Sequence, residues 1–206
     1  MKLVKYIALS SLLTFGLTSC EDWLDVNVDP NTPNNESITV QNRVPWILKE
    51  YSYSAGCANT RTFATCGGFY SNNANMNNVS VTWAGASGIS TTPYQTWFVG
   101  TASNIPDLYD KAESEGAYHY MAVAELLHAM GFMEMLDLYG EMPYTEALGA
   151  SGVPAYSDGK TIWEGCLAKL EHAIELFGMA QAPGVTPLSS GDIWNGGDVQ
   201  KWIKLC

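Results

Sequence analysis

The sequence contains few basic residues. Among its 206 residues there are only 10 Lys+Arg against 21 Asp+Glu, which gives a formal net charge of −11 at pH 7. Binding to nucleic-acid phosphates requires clustered Lys and Arg, and docking on anionic lipid through a basic patch requires the same residues. The composition therefore argues against a nucleic-acid partner and against electrostatic attachment to a membrane surface.

Motifs of catalysis and of cofactor binding are also lacking. The sequence has no G-x-S-x-G nucleophile elbow, no glycine-rich phosphate loop after a strand, and no CxxC or paired Cys/His spacing of a zinc site. Asp and Glu are plentiful, but nothing in the sequence singles out two carboxylates for glycosidic hydrolysis. The motifs therefore predict no catalytic residue, no metal site of the zinc type and no resident cofactor, while a catalytic pair of carboxylates stays open.

The first twenty residues have the pattern of an export signal. Residues 1–5 are short and basic, and residues 6–17 are apolar without a charge, which is too short for a bilayer core that needs ~20 residues. The following LTSC at residues 17–20 is similar to a bacterial lipobox, in which Cys20 would be lipidated and become the first mature residue. An ordinary secretory signal with a chance cysteine is the alternative. We predict a signal peptide over residues 1–19 and a lipid anchor on Cys20.

The rest of the chain is predicted to be mainly all-α. Residues 20–44 are polar and rich in Asn, Asp and Pro, which is typical of a linker, and Pro45 suits the first position of a helix. Apolar residues then recur at helical spacing, most clearly over 117–138 and again from Lys160. Pro106 should divide the helix that contains it. Two amphipathic helices joined by a long loop resemble a tetratricopeptide-type hairpin, so we predict helical hairpins with long irregular loops over residues 45–206.

Two groups of polar residues resemble metal-binding patterns without completing them. Residues 25–36 imitate the ligand spacing of a calcium loop, but Pro30 stands where a sharp turn needs Gly. An EF-hand is therefore not predicted, although a looser structural Ca²⁺ site stays open. Glu125 and His128 form one E-x-x-H motif, whereas a di-iron bundle needs two copies and two further Glu. We interpret Glu125 and His128 as residues at the rim of a helix packing face.

The cysteines after the signal allow two interpretations. In an exported protein Cys57 and Cys66 could close a short disulfide loop. The alternative is that these two residues, together with Cys166 and Cys206, are small buried thiols.

The final segment is predicted to form a helix whose apolar face lacks packing partners in this sequence. Asp198 can cap a helix over residues 199–206, and the apolar face of that helix expects packing partners. We interpret the chain as the front part of a longer protein.

An aromatic and amide-rich stretch is the most suggestive feature for binding. Residues 69–78 combine Phe, Tyr and Met with five Asn, and Trp83 follows. Aromatic rings contact the apolar faces of sugars, and amides both donate to and accept from sugar hydroxyls. These aromatics could instead fill the core while the Asn residues form turns. We predict Trp83, Tyr70 and Asn72 as ligand-binding residues.

Four blocks of the sequence, in their order and spacing, resemble the SusD/RagB family of outer-membrane nutrient-binding lipoproteins. They are CEDWLDVN with DPN (20–31), DLYGEMPYTEA (137–147), PAYSD leading into KTIW (154–163), and GDVQKW (197–202). The block at 137–147 is the most specific, and we expect it to shape the turn between two helices. The resemblance covers essentially the whole chain and corresponds to the N-terminal portion of a family member.

The resemblance implies a tetratricopeptide-like scaffold that is lipid-anchored at the outer membrane and faces the cell exterior. It implies a SusC-like TonB-dependent β-barrel transporter as partner, and capture of glycans, or in some members peptides, without catalysis. Two hypotheses of other classes stay open. One is a helical-repeat scaffold that organises envelope proteins and binds no small ligand, and the other is an anchored glycoside hydrolase.

Overall fold

The computed structural model describes residues 38–59, 93–149 and 152–206. Several predicted features lie outside these ranges: Cys20, Cys66, Tyr70, Asn72, Trp83 and the calcium-like segment 25–36. The described residues form α-helices joined by shorter π- and 3₁₀-helical segments, with one small sheet. The prediction of a mainly all-α fold is confirmed.

The first helix begins earlier than the sequence indicates. Helix α1 spans Val40–Ser52 and contains Pro45 in its interior, so the prediction that Pro45 starts the helix is wrong, and residues 40–44 are helical. Pro45 has no N–H to donate to the carbonyl of Gln41. That carbonyl packs instead against Gly191, where an added Cβ would lie 2.5 Å from the Gln41 oxygen. The carbonyl that lacks the Pro45 N–H therefore lies against a glycine from a distant part of the chain.

The region around Pro106 is divided as predicted. A π-helix follows α1 over Tyr53–Asn59, and a second spans Thr96–Thr101. A 3₁₀ turn at Ala102–Asn104 then leads into α2, Ile105–Glu115. Pro106 lies in the first turn of α2, where a missing N–H removes no helical hydrogen bond.

Helices α3 (Tyr118–Tyr139) and α4 (Gly159–Phe177) form the predicted hairpin. Their bounds confirm the sequence prediction to within one or two residues. However, the prediction that α3 is amphipathic is wrong, because its buried residues occupy nearly every side of the helix. A helix that is apolar all round is a buried one, and α3 packs against α1, α2 and α4. Helix α3 is therefore the centre of the core.

A short antiparallel sheet closes the loop between α3 and α4. Strand β1 is Met142–Pro143 and strand β2 is Tyr156–Ser157, with Met142 opposite Ser157 and Pro143 opposite Tyr156. Strands of two residues are too short to show an alternating pattern, so neither strand is predicted from the sequence. The sheet ties the two ends of this loop together.

The last described elements are a 3₁₀ turn at Leu188–Ser190 and helix α5, Val199–Ile203. Asp198 caps α5 by accepting hydrogen bonds from the backbone N–H groups of Gln200 and Lys201, as predicted, but the helix ends three residues earlier than expected. Trp202 is fully buried and stacks near Phe177 of α4. In the described ranges no helix combines the length and the apolar character needed to cross a membrane.

Candidate functional site

A cavity of about 440 Å³ opens between α2, α3, α4 and the loop that follows β1. Its lining residues come from four segments: Ile105, Pro106, Tyr109 and Asp110 from α2; Ala124, Glu125 and His128 from α3; Tyr144, Thr145, Ala147 and Leu148 from the loop; and Lys169 from α4. The cavity joins apolar walls to hydroxyl, imidazole and charged groups. This mixture is typical of small-ligand sites.

A buried ion pair forms one wall of the cavity. The Glu125 side chain is 8% exposed, and Lys169 donates a hydrogen bond from Nζ to Oε2 of Glu125 at 2.7 Å. Nδ1 of His172 lies 3.7 Å from Oε1 of the same carboxylate. A buried carboxylate requires such compensation, because an isolated charge is costly in the protein interior. The Glu125 charge is therefore neutralised where it lines the cavity.

His128 lines the cavity beside this ion pair. Its ring lies 4.5 Å from that of Phe132 and 5.6 Å from that of Tyr144, measured between centroids. Burial, and then the charge of Lys169, lower the pKa of His128 to about 3. The imidazole is therefore neutral near pH 7, with one nitrogen able to donate and the other to accept. The interpretation of Glu125 and His128 as rim residues is wrong in one respect: both line the cavity, and Glu125 is buried.

Tyr144 is placed by two neighbours on α4. Its hydroxyl is hydrogen-bonded to the thiol of Cys166, and its ring packs on Gly165, where an added Cβ would lie 2.6 Å from the Tyr144 hydroxyl oxygen. Burial raises the pKa of Cys166 to about 11, so the thiol is protonated and unreactive. The prediction of a small buried thiol is confirmed for Cys166, which is a free cysteine, and Cys206 is a free, half-buried one.

Both phenols of the cavity remain protonated. Burial raises the pKa of Tyr144, and Cys166 and Glu125 raise it further. Burial also raises the pKa of Tyr109, followed by the effects of Glu125, Glu113 and Asp110. Each hydroxyl can therefore donate one hydrogen bond and accept others.

The loop wall of the cavity contains an unusual backbone conformation. Leu148 has a φ of 57° and is the one non-glycine residue with positive φ in the described part of the chain. Leucine rarely adopts this left-handed conformation, and such outliers cluster at functional sites. The turn places Ala147 and Leu148 on the cavity. Among the described residues, no group of three or more His, Cys, Asp or Glu side chains could hold a metal ion.

Sequence reasoning identified only part of this site. The predicted ligand-binding residues Trp83, Tyr70 and Asn72 lie outside the described residues, and so do the predicted lipid-anchor residue Cys20 and the side chains of Cys57 and Cys66. The DLYGEMPYTEA block shapes the interhelical turn, as expected, but its Tyr144 and Thr145 also line the cavity. Tyr109 and Lys169 were missed, because no local signal marks a residue that reaches a site through tertiary packing.

Acidification is expected to destabilise the protein through His128. The unfolded imidazole takes up a proton near pH 6.5, whereas the folded one does so only near pH 3. The contribution of neutral His128 to the free energy of unfolding is therefore fully present above pH 6.5, and it is lost as the pH falls towards 3. Between pH 7 and 4.5 the loss is about 2–3 kcal/mol.

Urea denaturation at both pH values would measure this effect. In the variant His128→Met, the free energy of unfolding should differ less between pH 7 and pH 4.5, because the contribution of His128 is absent. Phe132→Leu loosens the same packing without removing a titratable group, and it should keep the full difference. Equal pH dependence in His128→Met and the parent protein would contradict the expectation.

A helical hairpin with a small polar cavity between its helices is the architecture of a helical binding scaffold. Residues 36–206, more than four fifths of the chain, match the family model SusD-like, which is described as "starch-binding associating with outer membrane". The chain belongs to the SusD-like family, a family of binding proteins associated with the outer membrane. No curated protein matches the chain.

Proposed function

We propose that this protein is a lipid-anchored protein of the outer membrane that captures glycans at the cell surface and passes them to a TonB-dependent β-barrel transporter. The observation that carries the proposal is the family match over residues 36–206, whose description combines starch binding with the outer membrane. The LTSC sequence at residues 17–20 supports a lipid anchor on Cys20.

The charge and the aromatic content support an uncharged ligand. The net charge of −11 disfavours the approach of anionic polymers, an effect that salt largely screens beyond a Debye length of about 8 Å. Glycans offer apolar C–H faces to aromatic rings and hydroxyls to amides. Trp83 is the leading candidate for stacking on a sugar ring, and Tyr70 and Asn72 are its proposed neighbours.

Calorimetric titration of the full chain with neutral oligosaccharides, starch-derived ones first, would test the proposal. The variant Trp83→Ala is expected to bind at least about 10-fold more weakly, because it removes a stacking surface worth ~1.4 kcal/mol or more. Trp163→Ala provides a matched control, since Trp163 is a 46% exposed tryptophan on α4. Heat of binding with peptides alone would favour a peptide-capturing member of the family instead.

The absence of binding to every glycan and peptide would contradict the proposal and favour the scaffold hypothesis. Purification from membranes separates the same two hypotheses by a different route. A transporter-linked protein should be recovered with a TonB-dependent barrel, whereas a scaffold should be recovered with other envelope proteins. Release of reducing sugar during the titration would instead indicate a hydrolase.

A further inference from the structure

We propose that the cavity between α2, α3 and α4 is a pocket for a single neutral sugar unit, so that the protein recognises the end or a branch of a glycan there. This inference rests on the proposed function and adds a second binding site to it, made of residues other than Trp83, Tyr70 and Asn72.

The size of the cavity sets the size of its ligand. Its volume of about 440 Å³ lies in the lower part of the range of roughly 300–1,000 Å³ found for small-molecule sites. An extended polysaccharide needs a groove or a flat aromatic platform along which several rings can lie. A cavity bounded by three helices and a loop instead admits one ring or a short end.

The polar groups of the cavity suit hydroxyls. Tyr109 and Tyr144 present protonated phenols, Thr145 presents a hydroxyl, and His128 presents a neutral imidazole. Two of these groups are oriented by a neighbour outside the cavity lining. The Tyr144 hydroxyl is hydrogen-bonded to the Cys166 thiol, and the Thr145 hydroxyl oxygen lies 3.3 Å from that of Ser157. A hydroxyl that makes one such bond keeps capacity for another. Each sugar hydroxyl both donates and accepts, so it can complement groups of this kind.

The apolar part of the lining suits the carbon skeleton of a sugar. Ile105 and Pro106 contribute from α2, Ala124 from α3, and Ala147 and Leu148 from the loop. Together with the rings of Tyr109 and Tyr144, they can contact the C–H face of a pyranose. Leu148, the residue with the left-handed backbone conformation, is part of this apolar wall.

The charges of the cavity select against acidic sugars. The ammonium group of Lys169 lies 2.7 Å from Oε2 of Glu125 and neutralises this carboxylate. The Lys169 charge is therefore already paired. Asp110 is an exposed lining residue that adds a negative charge. A uronic acid or a sulfated sugar would bring a second negative charge near these carboxylates and would leave it without a cationic partner.

Two variants of the full chain, Ala147→Leu and Tyr109→Phe, would test the pocket, with Ala168→Leu as the control. Ala147→Leu fills the cavity from the loop, and Ala168→Leu makes the same change at an exposed position of α4. Tyr109→Phe removes only a hydroxyl, so it serves if Ala147→Leu fails to fold. The probes are methyl glycosides of neutral hexoses and the corresponding uronic acids, with binding measured by calorimetry and by NMR of labelled alanine and leucine methyl groups.

The pocket predicts a specific pattern of affinities. Neutral methyl glycosides should bind and shift the methyl signals of Ala124, Ala147 and Leu148. Ala147→Leu should weaken this binding at least about 10-fold and Tyr109→Phe about 5-fold, while Ala168→Leu leaves it within about 2-fold. The uronic acids should bind at least about 10-fold more weakly than the neutral glycosides.

The results that would overturn the pocket differ from the result that would overturn the proposed function. If oligosaccharides bind but single sugars do not, or if Ala147→Leu and Tyr109→Phe bind single sugars like the parent, the pocket is overturned and the proposed function stands. Preference for uronic acids would also overturn it. If no glycan of any length binds, the proposed function itself fails.

Discussion

Gly131→Ala is expected to destabilise the protein by ~3–4 kcal/mol. Gly131 lies in the middle of α3, and a Cβ at this position would overlap the six-membered ring of Trp97. The indole cannot easily move, because it is 1% exposed and its ring packs against Tyr51 and Phe132 with centroids 5.9 and 5.7 Å away. At an exposed helix position the same change would stabilise by about 1 kcal/mol. Gly131→Ala is therefore expected to lower the stability, whereas helix propensity alone would raise it.

Urea denaturation would measure this change, with Gly159→Ala as the matched control. A Cβ at Gly159 would meet the nearest side-chain atom, of Leu136, at an ordinary 3.6 Å, so little change is expected. Combining Gly131→Ala with Trp97→Leu should cost less than the sum of the two single changes, because a smaller side chain leaves room for the methyl group. Equal stability of Gly131→Ala and the parent would show that the ring is free to shift.

The positions of α3 and α4 could be predicted because their signals are local. Helical periodicity over two dozen residues and the terminating Gly140 and Gly178 are properties of short segments. The start of α1 could not be predicted in the same way. Pro45 is a valid first helical residue, and the local sequence does not show that the helix already runs from Val40, where the Gln41 backbone approaches Gly191, far along the chain.

The candidate site illustrates the same limit. Glu125 and His128 were recognised as a spaced pair, but their setting depends on Lys169, which is 44 residues away from Glu125 in sequence. The loop residues Tyr144 and Thr145 were recognised within a family-like block, and their second contact, with the cavity, required the position of α2. Spacing along one helix therefore identifies a pair of side chains, whereas the charge and burial of that pair are set by other helices, both before and after it in the chain.

Asp192→Ala is expected to destabilise the protein by ~3–5 kcal/mol and to lower Tm by ~10 °C. The Asp192 side chain is buried and accepts four hydrogen bonds. Oδ1 accepts from the backbone N–H of Trp194 and of Asn195, both at 2.9 Å, and Oδ2 accepts from the N–H of Gly197 at 2.8 Å and from the indole of Trp202 at 2.7 Å. Alanine would leave all four donors without this acceptor, and three of them are backbone N–H groups of the turn that leads into α5.

The effect of Asp192→Ala should reach beyond its own turn. Trp202 stacks between Trp194, at 5.6 Å, and Phe177 of α4, at 6.4 Å, so the carboxylate fixes the indole through which α5 packs on the hairpin. Thermal denaturation followed by near-ultraviolet circular dichroism would report both the stability and this stacking. Asp198→Ala is the matched control, because it removes an exposed helix cap that accepts from Gln200 and Lys201 and should cost only about 1 kcal/mol. Asp192→Asn keeps the shape but offers one accepting oxygen, so it should fall between the two. If Asp192→Ala were no less stable than Asp198→Ala, the stacked aromatic rings alone would suffice to hold α5.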